Sequence, residues 1–470
     1  MDWSAYRNLF DLAGQALDGR GGFRPALGDG SHLVRHTREG DDKFKARNAL
    51  ATYENHMRQA CDRFAAFLGR RKPQRQGTDA PLVQAMLADA DLAGRDLDSF
   101  WRQFAQQAAA RGSMLLVVDR LATNQAPTLS AQQRLRALPY VRAAYPEAID
   151  AYQLDAFGGA FEQVTLSGME FVDGVLREVR RDYDTTSWRL RVRRTEAGGR
   201  SLLDEWDVFS EGEHGFGACP VLAFTEDGSS FPCLGRFTQI ADLSRDLFNL
   251  RSELREILRA QTFSLLTLQV PEGSDGADVA KTVAATVGTH SMMVYQGERP
   301  GFIAPDPGPV ESYMAAIAAV RKEIARVAMD DAVSSSGQAE SGLSRRMRFD
   351  ALNAALSRFS LNLQALELRM WTLFHRALGT ENRVTVSWPS DYTLADVASE
   401  LDILALMQAT GMPEAVLTEK RRAIVASEFD AAADATKAAL QAAIDEAGQA
   451  GSGPAPADNP TDNPPGSTGA

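Results

Sequence analysis

The strongest constraint lies between Val310 and Leu378, where two helical patterns are separated by a short Ser/Gly break. Val310, Met314, Ile317, Val320, Ile324 and Val327 recur at helical spacing in the first. Leu352, Leu356, Phe359, Leu363, Leu366, Met370, Leu373 and Phe374 do so in the second. The break reads Ser334-Ser335-Ser336-Gly337-Gln338-Ala339-Glu340-Ser341-Gly342. A helix from Leu343 to Leu378 spans about 50 Å at roughly 1.5 Å per residue. That is long for a compact enzyme, and a flexible loop at its root predicts a moving part.

The 470 residues, 44% apolar and 24% charged, allow two or three domains with buried cores. A net charge of −12 argues against a protein whose main task is gripping nucleic acid, which requires phosphate neutralisation. It is compatible with the wall of a conduit, which must not retain what passes. Cys61, Cys219 and Cys233 form no C-x-x-C pair and are odd in number, so reduced thiols are expected rather than a disulfide scaffold. Met1-Asp2-Trp3-Ser4 lacks the basic and apolar regions of a signal peptide. No apolar run reaches the ~18 residues of a membrane span, so the expectation is a protein made and assembled in solution, with no membrane partner.

The first ~110 residues read as mostly helical, with single helices over Leu50–Leu68 and Leu97–Ala110, the latter ending near Gly112. Met114 to Val118 is a short buried strand. From about Tyr140 to Phe224 the texture turns to strands, at Phe161–Leu166, Val175–Val179 and Trp188–Val192, with a turn at Asp173-Gly174. Trp188, Leu190 and Val192 alternate with Arg189, Arg191 and Arg193, and the arginines are read as the wet face of an antiparallel sheet rather than a nucleic-acid stripe.

Ile240, Leu243, Leu247, Leu250, Leu254, Ile257 and Leu258 form a narrow stripe on a helix, with Asp242–Arg245 and Glu256–Arg259 spaced to pair. Between Leu265 and Pro309 lies a mixed insert, with strands at Leu265–Val270 and Met292–Tyr295 around a helix at Ala277–Val287. Gly301–Pro309 is its linker. A strand at Val384–Trp388 precedes a capping-box spacing at Thr393–Asp396. Three helices are expected next: Ala395–Met407, one opened by Pro413, and Ser427–Glu446 stopped by Gly448. Residues beyond Gly451 are expected to be disordered.

No phosphate-cradling G-x-x-x-x-G-K-[ST], G-x-S-x-G elbow or H-E-x-x-H helix occurs. His32 and His36 are four apart but have no neighbouring carboxylate or cysteine ligand, and His214, His290 and His375 are isolated. Ser334 to Ser336 have no local base and read as linker. The expectation is no enzyme, no cofactor and no metal.

The order helix, Ser/Gly loop, Arg-rich long helix, with the string Glu340-Ser341-Gly342-Leu343-Ser344-Arg345-Arg346-Met347-Arg348-Phe349 and Asn353 behind it, resembles bacteriophage portal proteins. The resemblance covers nearly the whole chain. It implies an α+β fold: an elongated, mainly helical subunit with a β-rich wing, two stem helices, a small α/β clip, a long wing helix and a helical crown. On this sequence the wing is 1–235, the stem helices 236–264 and 310–331, and the clip 265–309. The tunnel loop is 332–342, the long wing helix and strand 343–392, the crown 393–447 and a disordered tail 448–470.

The resemblance further implies a homo-oligomeric ring, twelve subunits when assembled, at one capsid vertex of the virion, with the host cytoplasm as the place of assembly. Expected partners are the large terminase, the head-tail adaptor, the major capsid and scaffolding proteins, and double-stranded DNA passing without sequence specificity. Ser334, Ser335, Ser336, Gly337, Gln338, Ser341 and Gly342 would line the tunnel, and the absence of a bulky or basic tip there argues against a tight grip on DNA. Arg345, Arg346 and Arg348 would touch phosphates, or else pair with Glu340, Asp350 or a neighbouring subunit. The competing readings are another head or tail-adaptor scaffold without a tunnel, and a cytoplasmic hydrolase.

Overall fold

The structure is a computed structural model that describes residues 3–25, 30–120, 138–195, 201–262, 265–267, 301–303, 308–329, 342–392, 397–428 and 434–450. Two units divide the chain, 1–392 and 393–470. Helices and sheets occupy separate stretches of the first, which makes the fold α+β.

The chain opens with helices α1 (Trp3–Asp18), α2 (Asp41–Leu50), α3 (His56–Leu68), α4 (Pro81–Ala88) and α5 (Leu97–Arg111). The single helix expected over Leu50–Leu68 is interrupted. Asn55 instead caps α3, its side chain accepting from the Arg58 amide at 2.8 Å. Tyr53 leaves the helical path to stack near Phe23 and donates its hydroxyl to the Ala16 carbonyl at 2.8 Å. Burial of that ring outweighs one more turn of helix.

Strand β2 (Ser113–Arg120) lies between β3 (Pro139–Ala144) and β9 (Val221–Thr225), antiparallel to both. Gly112 turns the chain from α5 into β2 at φ 85°, and a Cβ there would sit 2.0 Å from the Gly235 amide nitrogen. Only glycine suits that crossing. The second sheet runs β4 (Ile149–Leu154), β5 (Phe161–Val172), β6 (Val175–Tyr183), β7 (Ser187–Thr195), β8 (Ser201–Glu213). Asp173 and Gly174 both take positive φ in the two-residue β5–β6 turn, as its dipeptide signal predicts.

Trp188, Leu190 and Val192 do point to a buried or half-buried face. The intervening arginines are bound to carboxylates: Arg189 to Glu211 at 2.8 Å, Arg191 to Asp182 at 2.6 Å and Arg193 to Glu178 at 2.6 Å.

Helix α6 (Thr238–Thr262) leads to β10 (Leu265–Thr267), which pairs antiparallel with β11 (Gly301–Ile303) just before α7 (Gly308–Val327). The segment Gly301–Pro309 is therefore not all linker, since its first residues are held as a strand by a partner distant in sequence. The other strands and the helix expected in the insert lie outside the described residues. Helix α8 (Gly342–Leu378) runs 37 residues, about 55 Å at roughly 1.5 Å per residue. Its predicted ladder, from Leu352 to Phe374, is buried throughout. Strand β12 (Thr385–Ser387) pairs with β1 (Gln74–Gln76).

The second unit holds α9 (Val397–Ala409), α10 (Glu414–Glu428) and α11 (Asp434–Ala450). The helix expected over Ser427–Glu446 is corrected: Glu428 ends α10, and α11 begins at Asp434. Gly448 lies inside α11 rather than stopping it, a tolerable cost of about 1 kcal/mol in an Ala-rich helix. The Thr393–Asp396 capping box and the tail beyond Gly451 lie outside the described residues.

Candidate functional site

Helices α6 and α7 pack along each other, with β10 and β11 closing the insert at one end. Tyr313, early in α7, donates to Glu253 of α6 at 3.0 Å. Farther from the insert, two residues back along α6 and eight residues on along α7, Arg251 and Arg321 both bind Glu54, which precedes α3. The two helices are thus antiparallel, and the chain leaves along one and returns along the other.

Glu54 is the shared anchor. Burial would raise its carboxyl pKa, but the hydrogen bond from Arg321 and the charge of Arg251 outweigh it and hold it below the usual range. The Asn249 amide fixes α6 to the N-terminal loop, donating to the His32 carbonyl at 3.0 Å and accepting from the Val34 amide at 2.7 Å. The surface pairs Asp242–Arg245 and Glu256–Arg259 form as their spacing predicts. Ile240 and Leu247 of the stripe are buried, while Leu258 near the insert stays 45% exposed.

The long helix α8 is pinned by a buried charge. Glu367, fully buried, accepts from Arg75 Nε at 2.6 Å, Trp388 Nε1 at 2.8 Å and Trp371 Nε1 at 3.3 Å. Arg75 also reaches Asp98 at 2.7 Å. Burial alone would lower the Arg75 pKa, and the two carboxylates reverse this and hold its guanidinium charged. Sequence reading missed both this network and the Glu54 anchor. For the first a signal existed: Glu367 falls on the apolar face, between Leu366 and Met370.

The residues expected to line a tunnel, Ser334 to Gln338 and Ser341, lie outside the described residues. Gly342 is the first residue of α8, and Arg345, Arg346 and Arg348 fall in its first two turns. No described contact brings the loop residues together with the arginines.

Among the described residues no group of three His, Cys, Asp or Glu could hold a metal ion, and no helix is long and apolar enough to cross a membrane. His32 is bound to Gln15 at 2.9 Å in a non-helical segment and so does not pair with His36 across a helix face. Burial raises the pKa of all three thiols, Cys219 and Cys233 to about 11, which makes them poor nucleophiles. A polar hollow of about 250 Å³ on the five-stranded sheet is lined by Thr165, Asp182, Arg189 and Arg191 among others. These four are bound to one another or to Glu211, so they form a structural ladder rather than an acid–base pair.

Solved structures to which the chain is similar include parts of a gene transfer agent particle and a phage portal protein. The neck of an empty gene transfer agent particle, computed with C6 symmetry, matches at 13% identity and TM-score 0.43, covering 83% of this chain and 95% of that one. The neck of the native particle, computed with C12 symmetry, matches at 13% identity and TM-score 0.44, covering 83% and 94%. An HK97 family phage portal protein from Corynebacterium diphtheriae matches at 10% identity and TM-score 0.36, covering 74% and 93%. No family model and no curated protein matches the chain.

Proposed function

We propose that the chain is a phage portal protein, the subunit of a ring at one capsid vertex through which DNA is packaged and ejected. The observation that carries this reading is the antiparallel pair α6 and α7, leaving and returning on either side of an insert closed by β10 and β11. The Ser/Gly sequence stretch Ser334–Gly342 and a 37-residue helix follow it. A hairpin of long helices with a small module at its tip is the shape of a projecting stem, and subunits repeating head to tail close into rings when the rotation closes.

In this reading α6 and α7 are the stem, and the insert 265–309 is the clip that docks the large terminase and later the head-tail adaptor. The loop 332–342 reaches the ring axis, α8 crosses the wing, and α9 to α11 form the crown. Twelve subunits assemble in the virion. The capsid and scaffolding proteins contact the ring from outside, and DNA passes without sequence recognition. Hydroxyls and amides of Ser334, Ser335, Ser336 and Gln338 offer DNA weak contacts, while Arg345, Arg346 and Arg348 supply limited attraction. The overall charge of −12 keeps that attraction from becoming retention.

The test is genetic. A phage whose gene for this chain is disrupted should yield no DNA-filled heads, and restoring the chain in trans should return them. Normal filled heads without it would refute the reading.

A further inference from the structure

Two open edges bound the five-stranded sheet. Strand β4 covers β5 only as far as Leu166, and the Ser167 hydroxyl closes that corner on the Ala148 carbonyl at 3.1 Å. From Gly168 to Val172, β5 has no strand on that side among the described residues. Met169 is 58% exposed and Phe171 76%. The opposite edge is β8, where Val208 is 52% exposed and Phe209 49%. Neither stretch contains Pro or Lys, the usual blockers of edge pairing.

Register places the apolar groups of the two edges on one face. Phe171 lies opposite Leu176, which is two pleat repeats from Arg180. Arg180 lies opposite Arg191, and Arg191 opposite Val208. Between the edges that face is ionic, with Arg180, Asp182, Arg191 and Arg193 all paired to carboxylates or to one another. Exposed apolar side chains on that face thus sit at the two edges and at the β5–β6 tip, where Leu176 beside Phe171 is 51% exposed. Strands β5 and β8 also run antiparallel, three antiparallel steps apart. A second copy placed beside the first in the same orientation brings its β8 antiparallel to the open part of β5. Charge permits the match: β8 carries Asp204, Glu205, Asp207, Glu211 and Glu213 and no basic residue, while Glu170 on the receiving edge is already paired with Arg181 and exposed Arg177 stands opposite it on β6.

We infer that β8 of one copy adds to the 168–172 edge of β5 in the next, continuing the sheet from subunit to subunit. This rests on the ring reading and names a contact that builds the ring. Such addition is heterologous, each copy giving one edge and receiving on the other.

Two single variants, Phe171→Cys and Val208→Cys, test it, since the three natural cysteines are buried. Treated with a short bismaleimide under assembly conditions, each alone should stay uncross-linked, and the mixture should give covalent dimers. Cross-linking within either variant alone, or none in the mixture although rings form, would overturn the inference and leave the ring reading standing. Failure of the unmodified protein to form rings would remove both. As a second arm, Met169→Lys with Phe171→Lys should keep the circular dichroism and melting of the parent and lower the ring fraction at least about tenfold. Undiminished rings from that variant mean that the edge serves another partner, and the inference fails.

Discussion

Arg321 holds Glu54 through a single guanidinium nitrogen, 2.8 and 2.9 Å from its two carboxylate oxygens. Arg251 takes the same carboxylate from the other helix, and His56 lies behind it at 3.1 Å. One acid in front of α3 thus ties both members of the hairpin to the body. Replacement by Gln should cost about 1 kcal/mol, since the group is partly exposed. Amide exchange should quicken in α6 and α7 and stay unchanged in β5 to β8. Because the folded Glu54 pKa lies below its ordinary value, its contribution is fully present above that value and is lost as pH falls through the depressed one. The gap between parent and Glu54→Gln should therefore hold from neutral pH into the usual carboxylate range and close only below it. Equal exchange in both proteins would count against the anchor.

Glu367 and Arg75 make a harsher prediction. With Glu367 fully buried, Glu367→Ala leaves Arg75 only the partly exposed Asp98 and strands two indole donors, at a cost of about 3 kcal/mol in urea unfolding. The double replacement Glu367→Leu with Arg75→Met should recover part of that loss, because no buried charge is left and Asp98, which then loses Arg75, is partly exposed to water. A single-variant loss under about 1 kcal/mol would contradict the network.

Much of this was legible in the sequence, for identifiable reasons. The α8 ladder, the α6 stripe and the β2 strand follow from local periodicity, and Gly112 marks the end of α5 as its position predicts. What stayed hidden depends on partners distant in the chain. Gly301–Ile303 becomes a strand only through Leu265–Thr267, and Arg75 meets Glu367 across 292 residues. Strand β8 was missed because Leu202-Leu203 and Val208-Phe209 break its alternation, the latter pair beside a bulge. The Leu50–Leu68 pattern misled because apolar spacing persists through residues that the Asn55 cap and the Tyr53 ring take out of the helix.

For the loop, replacing Ser334, Ser335 and Ser336 by Asp should impair DNA packaging or retention while rings still assemble, because in the proposed ring the added carboxylates would repel the phosphates passing along the axis. Substituting Gly337 and Gly342 by Pro should slow packaging too. Normal packaging by both variants would remove the tunnel role.

The insert makes a separate prediction. Deleting residues 273–297 spares β10, β11 and both long helices, so the body should remain folded and soluble. Capture of the large terminase in a pull-down should be lost. Retained capture would reassign the motor-docking surface.

The most direct test of the central claim is negative-stain imaging of the purified full chain under assembly conditions. The account predicts rings with a stain-filled central channel and twelve-fold end views. Fields holding only compact monomers or two-fold dimers would contradict it.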